Sequence, residues 1–292
     1  MATVTTYSAV GNKEDVSDII TNITPTETPL YSMFGKTKAK ATYHEWLEDE
    51  LNAPGSNAQV EGADYPTATS TTRSRKGNYT QIFAKTAKVT ATQEAVAKYG
   101  IKSELAYQMA NRMKEIAKDV EYAIINNTSK VAGDASTARQ MGGIQAFVTT
   151  NVDDNGGTAR SLTEDLLNDG IQSAWQAGGD PNVVVVCGKH KRIISGFTAG
   201  ATKYLEAEDK RLVAAVDVYE SDFGVVRIIP HRYMLTDTLF ILDTNYWKTA
   251  YLRPFKVKEI PPTGDYVAKA IIGELTLEAR AEKANAIIKD LS

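Results

Sequence analysis

The sequence predicts a mixed α+β fold that carries one long extended excursion. Three observations lead there. Between about residues 92 and 127 apolar residues recur three and four apart, the spacing of one helix face. Around it, strand-like and helix-like segments follow one another without a regular βαβ alternation, which favours α+β over α/β. Thirty consecutive residues, Asn52 to Gln81, contain no Leu, Ile, Met, Phe or Trp. With 42% hydrophobic residues in 292, the chain can build a core, but that stretch cannot contribute to it.

The first 36 residues read as an arm. Val16, Ile19, Ile20 and Ile23 fall on one face of a short helix. Pro25 and Pro29 then force extended chain, and Leu30, Met33 and Phe34 follow. Residues 37 to 90 read as a two-stranded excursion. Thr42–Leu47 and Thr80–Val89 are its strands, and Pro54, Gly55 and Ser56 lie at its tip. Charge is segregated along it. Glu45 to Asp64 holds six acids (Glu45, Glu48, Asp49, Glu50, Glu61 and Asp64) and no Lys or Arg. Tyr65 to Gln93 holds five bases (Arg73, Arg75, Lys76, Lys85 and Lys88) and no acid. The two signs can pair strand with strand or copy with copy. An isolated ribbon is marginal, so this one needs a surface to lie on.

The helix of 92–127 carries Leu105, Met109, Met113, Ile116, Val120 and Ile124, with Thr90 and Gln93 as a capping box and Gly100 as a break. Ser161 to Glu164 repeats the capping pattern before Leu166, Leu167, Ile171, Ala174 and Trp175, and Gly178-Gly179 closes that helix. Val183 to Cys187 is a buried strand, and Lys189 to Gly196 a short basic helix. Strands are expected at Val216–Glu220, Gly224–Ile229, Leu239–Leu242, Trp247–Arg253 and Val267–Ala279.

Chemistry leaves few traces. The single cysteine, Cys187, excludes an internal disulfide framework and a multi-cysteine metal site. His44, His190 and His231 share no ligand spacing, so no metal is expected. Gly188-Lys189 lacks the rest of a phosphate loop, Gly142-Gly143 lacks dinucleotide spacing, and Ser195-Gly196 is no nucleophile elbow. No catalytic residue, cofactor or metal is therefore assigned. A net charge of −3 argues against a protein that condenses nucleic acid by charge. No apolar run spans a bilayer and no signal peptide is visible, so neither a membrane nor export is expected.

Asp18-Ile19-Ile20-Thr21-Asn22-Ile23, Pro25, Glu27-Thr28-Pro29-Leu30, Ser32 and Phe34-Gly35-Lys36 resemble the N-terminal arm of tailed-bacteriophage major capsid proteins. Gly273-Glu274-Leu275-Thr276-Leu277-Glu278-Ala279-Arg280-Ala281-Glu282-Lys283-Ala284 resembles their closing strand. The order of segments matches as well.

This resemblance implies a Hong Kong 97-like capsid fold with an N-terminal arm (1–36), an extended β loop (37–90) and a long spine helix within a peripheral domain (91–144). An axial domain (145–245) and peripheral closing strands (246–292) would complete it. It implies self-assembly through hexamers and pentamers into an icosahedral shell around double-stranded DNA, in the host bacterial cytoplasm. DNA would meet the inner face without sequence specificity. A portal, and scaffolding or decoration proteins, are the further partners. Since the arm begins almost at Met1, either a separate scaffolding protein or assembly without one is expected.

The expected inter-subunit residues are Ile19, Ile20, Leu30, Phe34, Trp46 and Phe83 as apolar anchors. Glu48, Asp49, Glu50, Arg73, Arg75 and Lys76 are expected to fix register. Deleting residues 50 to 80 is expected to leave a folded chain that forms no shells. The competing reading is an α/β ligand-binding protein or enzyme with residues 37–90 as a lid.

Overall fold

The computed structural model describes residues 28–68, 70–71, 73–97, 100–197 and 218–292. The expected arm helix, with Ile19 and Ile20, lies outside them. The described residues divide into two compact units. One is built of Ala84–Lys118 and Lys256–Ile272, the other of Thr28–Phe83, Asp119–Phe255 and Gly273–Ser292.

In the second unit, helix α1 (Pro29–Met33) leads into strand β1 (Gly35–Lys38). Leu30 is fully buried and Phe34 stacks on Trp247 with ring centroids 5.7 Å apart. Both residues were expected to anchor on a neighbour; instead they sit in the chain's own core. Their apolar area is satisfied within the chain because β1 runs parallel to the strand that begins at Trp247.

Strand β2 (Tyr43–Glu48) pairs antiparallel with β3 (Ser74–Tyr79), Tyr43 facing Tyr79 and Glu48 facing Ser74. This corrects the expected pairing. The segment read as the second ribbon strand is β4 (Gln81–Thr90), which lies in a four-stranded sheet of order β1-β10-β11-β4, with β10 Trp247–Ile260 and β11 Tyr266–Ala279. Alternating burial explains the change: Phe83, Ala87 and Val89 point inward, a one-sided pattern that a free ribbon could not use.

The predicted long helix is two. Thr90 caps α2 (Ala91–Ala95), its hydroxyl accepting from the Gln93 N–H. Gly100, at φ 73°, occupies the interruption, and α3 (Glu104–Asn126) follows. Ile116, Val120 and Ile124 are buried as expected, whereas Met113 is 55% exposed.

The short helix α4 (Ile144–Phe147) precedes a six-stranded sheet of order β5-β12-β9-β6-β8-β7. Its strands are β5 (Val152–Asp153), β6 (Val183–Val186), β7 (Val218–Ser221), β8 (Gly224–Pro230), β9 (Leu239–Leu242) and β12 (Ala286–Ile288). Every residue of β6 and β9 is buried, as continuous apolar strands require. Helix α5 (Glu164–Gln176) buries Leu167, Ile171 and Ala174 in this core, and α6 (Gly188–Ser195) adds Ile194. The α5 cap is Thr163, not Ser161: its hydroxyl accepts from the Leu166 N–H. The C-terminal residues also depart from expectation. Ala286–Ile288 joins β9 and β5 rather than the sheet that contains β11.

Candidate assembly interface

The β2–β3 ribbon divides into a rooted base and an unsupported tip. The root is polar and buried. Asn78 donates from Nδ2 to the Gly142 carbonyl (3.0 Å) and the Leu277 carbonyl (2.8 Å), and its Oδ1 accepts the Gly142 N–H (2.8 Å). Gly77 passes so close to the Tyr43 ring that a Cβ would lie 2.8 Å from it. Its carbonyl accepts from the Lys130 ammonium at 2.8 Å.

β11 receives the ribbon through a polar row. Glu274, Thr276 and Glu278 alternate with Leu275 and Leu277, so all three face one side of the strand. Thr276 donates to the Tyr79 carbonyl (2.8 Å), the Thr80 hydroxyl donates to Glu274 (2.7 Å), and His44 Nε2 donates to Glu278 (3.0 Å). Arg139 and Arg253 also bind Glu274, and Arg139 Nε donates to the Thr80 carbonyl at 2.7 Å.

Burial pushes both carboxyls up. Hydrogen bonds from Thr80 and Arg253, with the charges of Arg139 and Arg253, more than offset this and hold Glu274 below the usual carboxylate range. For Glu278, hydrogen bonds from His44 and Arg280 do the same. Buried acids are tolerable only with such partners. The sequence reading missed this row. A period-two run of polar residues in an otherwise apolar strand was the available signal.

The predicted charges mostly pair within the chain. Arg75 meets Glu45 at 3.2 Å, Arg73 meets Asp49 at 3.5 Å, and Lys283 meets Glu50 at 2.6 Å. Glu48 accepts from the Trp46 indole at 3.1 Å; burial raises its pKa. Lys76 is exposed opposite Trp46. Trp46 and Phe83, expected as anchors, are buried in the chain, Trp46 against Phe147 at 5.7 Å. Beyond Glu48 the tip is bare. Every described residue from 49 to 76 is exposed, with Leu51 at 96%, Val60 at 79% and Tyr65 at 100%. Leu51, Val60 and Tyr65 give the tip exposed apolar surface, which the buried Leu30, Phe34, Trp46 and Phe83 do not offer.

A second anchor holds the start of the described chain. Glu121 of α3 is fully buried, and its carboxylate accepts the N–H groups of Leu30 (2.9 Å) and Tyr31 (2.7 Å). His231 completes it: Nδ1 accepts the Tyr233 N–H (3.1 Å), leaving Nε2 to donate to Glu121 (2.8 Å). The other buried histidine, His190, contacts Cys187 Sγ at 3.3 Å. Burial lowers its pKa. A buried neutral imidazole beside a buried thiol offers no accessible nucleophile. Among the described residues, no three His, Cys, Asp or Glu side chains are grouped to hold a metal ion.

Residues 3–292 match the family model described as SU10 major capsid protein. The chain belongs to that family. The major capsid protein of Escherichia phage Phieco32 is 25% identical over 335 aligned residues, spanning 97% of this chain and 95% of the relative. Solved structures agree on the fold at lower identity. The capsid of Cyanophage A-1(L) superimposes with a TM-score of 0.72 at 10% identity, over 98% of both chains. The capsid of a native GTA particle gives 0.68 at 16% identity, again over 98% of both. The chain thus has the Hong Kong 97-type fold and is a phage major capsid protein, a structural component of the virion. The reading of residues 37–90 as an enzyme lid has no support. The cleft between the ribbon and Arg280–Ala284 is lined by charged side chains such as Glu48, Lys76 and Glu282 together with Leu51, Ala177 and Tyr246.

Proposed function

We propose that copies of this chain join by laying the ribbon tip, residues 49–73, on an adjacent subunit. Hexamers and pentamers formed this way close an icosahedral shell around double-stranded DNA, assembled in the host bacterial cytoplasm. The observation that carries the reading is the contrast along the ribbon: a root fixed by buried hydrogen bonds, then a tip whose described residues are all exposed, tied back to its own chain by the Glu50–Lys283 ion pair at its base and presenting Leu51, Val60 and Tyr65 to solvent. A rigidly based, unsupported apolar tip is suited to a neighbour's surface. Each contact is modest, and closure multiplies it through many simultaneous engagements.

In this reading residues 145–245, joined by the strand Ala286–Ile288, form the axial domain around five-fold and six-fold axes, and 91–144 with the strands of 247–279 the peripheral domain. The inner face meets DNA without sequence specificity, and a portal together with scaffolding or decoration proteins completes the particle. The test is a triple substitution, Leu51→Ser, Val60→Ser and Tyr65→Ser, followed by sedimentation velocity. We expect normal melting with assembly lost or strongly reduced. Assembly at the unmodified level refutes the role of the tip.

A further inference from the structure

We propose that the ribbon tip of one copy docks, through the turn at residues 60–63, in the groove that residues 36–39 and 251–254 form on a second copy. The inference rests on the reading above and names the surface that receives the tip.

One turn shapes the tip. The Ala63 N–H donates to the Val60 carbonyl at 3.0 Å, and Gly62 takes φ 82°, as the third residue of a type II turn does. Glu61 stands at the corner, with Val60 before it and Asp64 and Tyr65 after it, and all four side chains are exposed. Lower on the ribbon, Glu45, Asp49 and Glu50 each meet a base of their own chain. Glu61 and Asp64 enter no ion pair among the described residues.

The groove exists because β1 is short. It pairs with β10 from Gly35 opposite Lys248 to Lys38 opposite Tyr251, and the Ala39 N–H closes the ladder on the Tyr251 carbonyl at 3.0 Å. Pro254 has no N–H with which to extend it. Leu252 and Pro254 therefore border a groove of about 590 Å³, a space ample for an aromatic side chain. Tyr251, Leu252 and Pro254 give it apolar walls, and exposed Lys36 and Lys38 form its rim. Strand alternation puts these two lysines on one face, their Cα atoms about 7 Å apart. Lys40 follows just past the strand, and none of the three enters an ion pair among the described residues.

The two surfaces match in charge and in apolar content. Tyr65 seated against Leu252 and Pro254 would bring Glu61 and Asp64 to Lys36 and Lys38. Lysines on an edge strand discourage the addition of another strand, so recognition is by side chains. Tyr65 is 100% exposed, so the tip does not fill the groove of its own chain. The other basic groove, at Lys189 and Arg192, offers Ile193 as its only apolar wall and fits the tip less well.

Charge exchange tests the pairing in the full chain. Lys36→Glu with Lys38→Glu, and separately Glu61→Lys with Asp64→Lys, should each lower particle yield at least about tenfold by sedimentation velocity in about 0.1 M salt. All four positions are exposed, so melting should not change. The two pairs combined should restore yield to within about threefold. Normal yield from the lysine variant, with assembly lost in the Leu51, Val60 and Tyr65 serine variant, overturns the groove and leaves the role of the tip intact. Normal yield from both refutes the tip as well, and a combined variant that recovers nothing refutes the pairing. Carbodiimide coupling of the unmodified chain gives a reading without substitutions. Amide links from Glu61 or Asp64 to Lys36, Lys38 or Lys40 should appear in the dimer band of a denaturing gel, mapped by mass spectrometry. Such links confined to the monomer band, or links to Lys189 in their place, overturn the proposal.

Discussion

Replacing Asn78 by Ala should be among the most damaging single changes at the ribbon root. The side chain is fully buried and makes three hydrogen bonds, two to carbonyls and one from an N–H. Truncation leaves the Gly142 N–H and the carbonyls of Gly142 and Leu277 without that partner, among buried residues. An unsatisfied buried polar group costs about 1–3 kcal/mol, carbonyls toward the low end. The total is about 3–5 kcal/mol. For a protein of this size each kcal/mol lowers the melting temperature by about 2–4 °C, so a fall of at least about 6 °C is expected. The assay is thermal unfolding by circular dichroism at fixed protein concentration, because association also shifts the midpoint. Asn57→Ala, on the exposed tip, is the control. An Asn78→Ala loss below about 1 kcal/mol, or one equal to the control, refutes the view that this side chain roots the ribbon.

Other consequences follow from the same contacts. Glu121→Ala strips partners from two backbone N–H groups and from His231; stability should fall by about 3 kcal/mol or more in urea titrations, and a loss under about 1 kcal/mol contradicts the anchor. Gly77→Ala should cost about 1–3 kcal/mol by melting, since the new methyl meets the Tyr43 ring and a backbone carbonyl. Arg75→Ala should change stability by less than about 1 kcal/mol, because its ion pair with Glu45 is solvent-exposed. The lowered carboxyls of Glu274 and Glu278 make the root acid-labile. Their folded values lie below the ordinary 4.5, so the unfolded chain binds protons first as pH falls. Their stabilisation is complete above that value and lost as pH drops through the lowered ones. Glu274→Gln should flatten the pH dependence of melting in that window, and an unaltered profile contradicts the assignment.

What was legible in the sequence was what depends on local periodicity. The stripe of α3, the Val183–Val186 strand and the Gly100 break all follow from spacing or backbone freedom. Ownership of apolar residues was not legible. Leu30 and Phe34 are spaced like docking anchors, but only the parallel pairing of β1 with β10 shows that they fill their own core. The partner of β2 was hidden for a different reason. Ser74–Tyr79 is polar, and it holds as a strand through Asn78, Gly77 and the receiving row on β11 rather than through its own β propensity. Glu121 escaped notice because an acid on a helix reads as solvated until a buried backbone N–H is shown beside it. Strand β12 was missed because three residues carry too little pattern.

The root also changes how the shell hypothesis is tested. A deletion of residues 50 to 80 would remove Asn78 and β3 with the tip, and so confound folding with assembly. Excising 51–71 and joining the ends with a short Gly-Ser turn leaves the root and the Arg73–Asp49 pair in place. Electron microscopy of particles from cells expressing the full or the shortened chain is the most direct measurement. The account predicts closed shells from the full chain and only folded, unassembled subunits or small oligomers from the shortened one. Closed shells built by the shortened chain would contradict it.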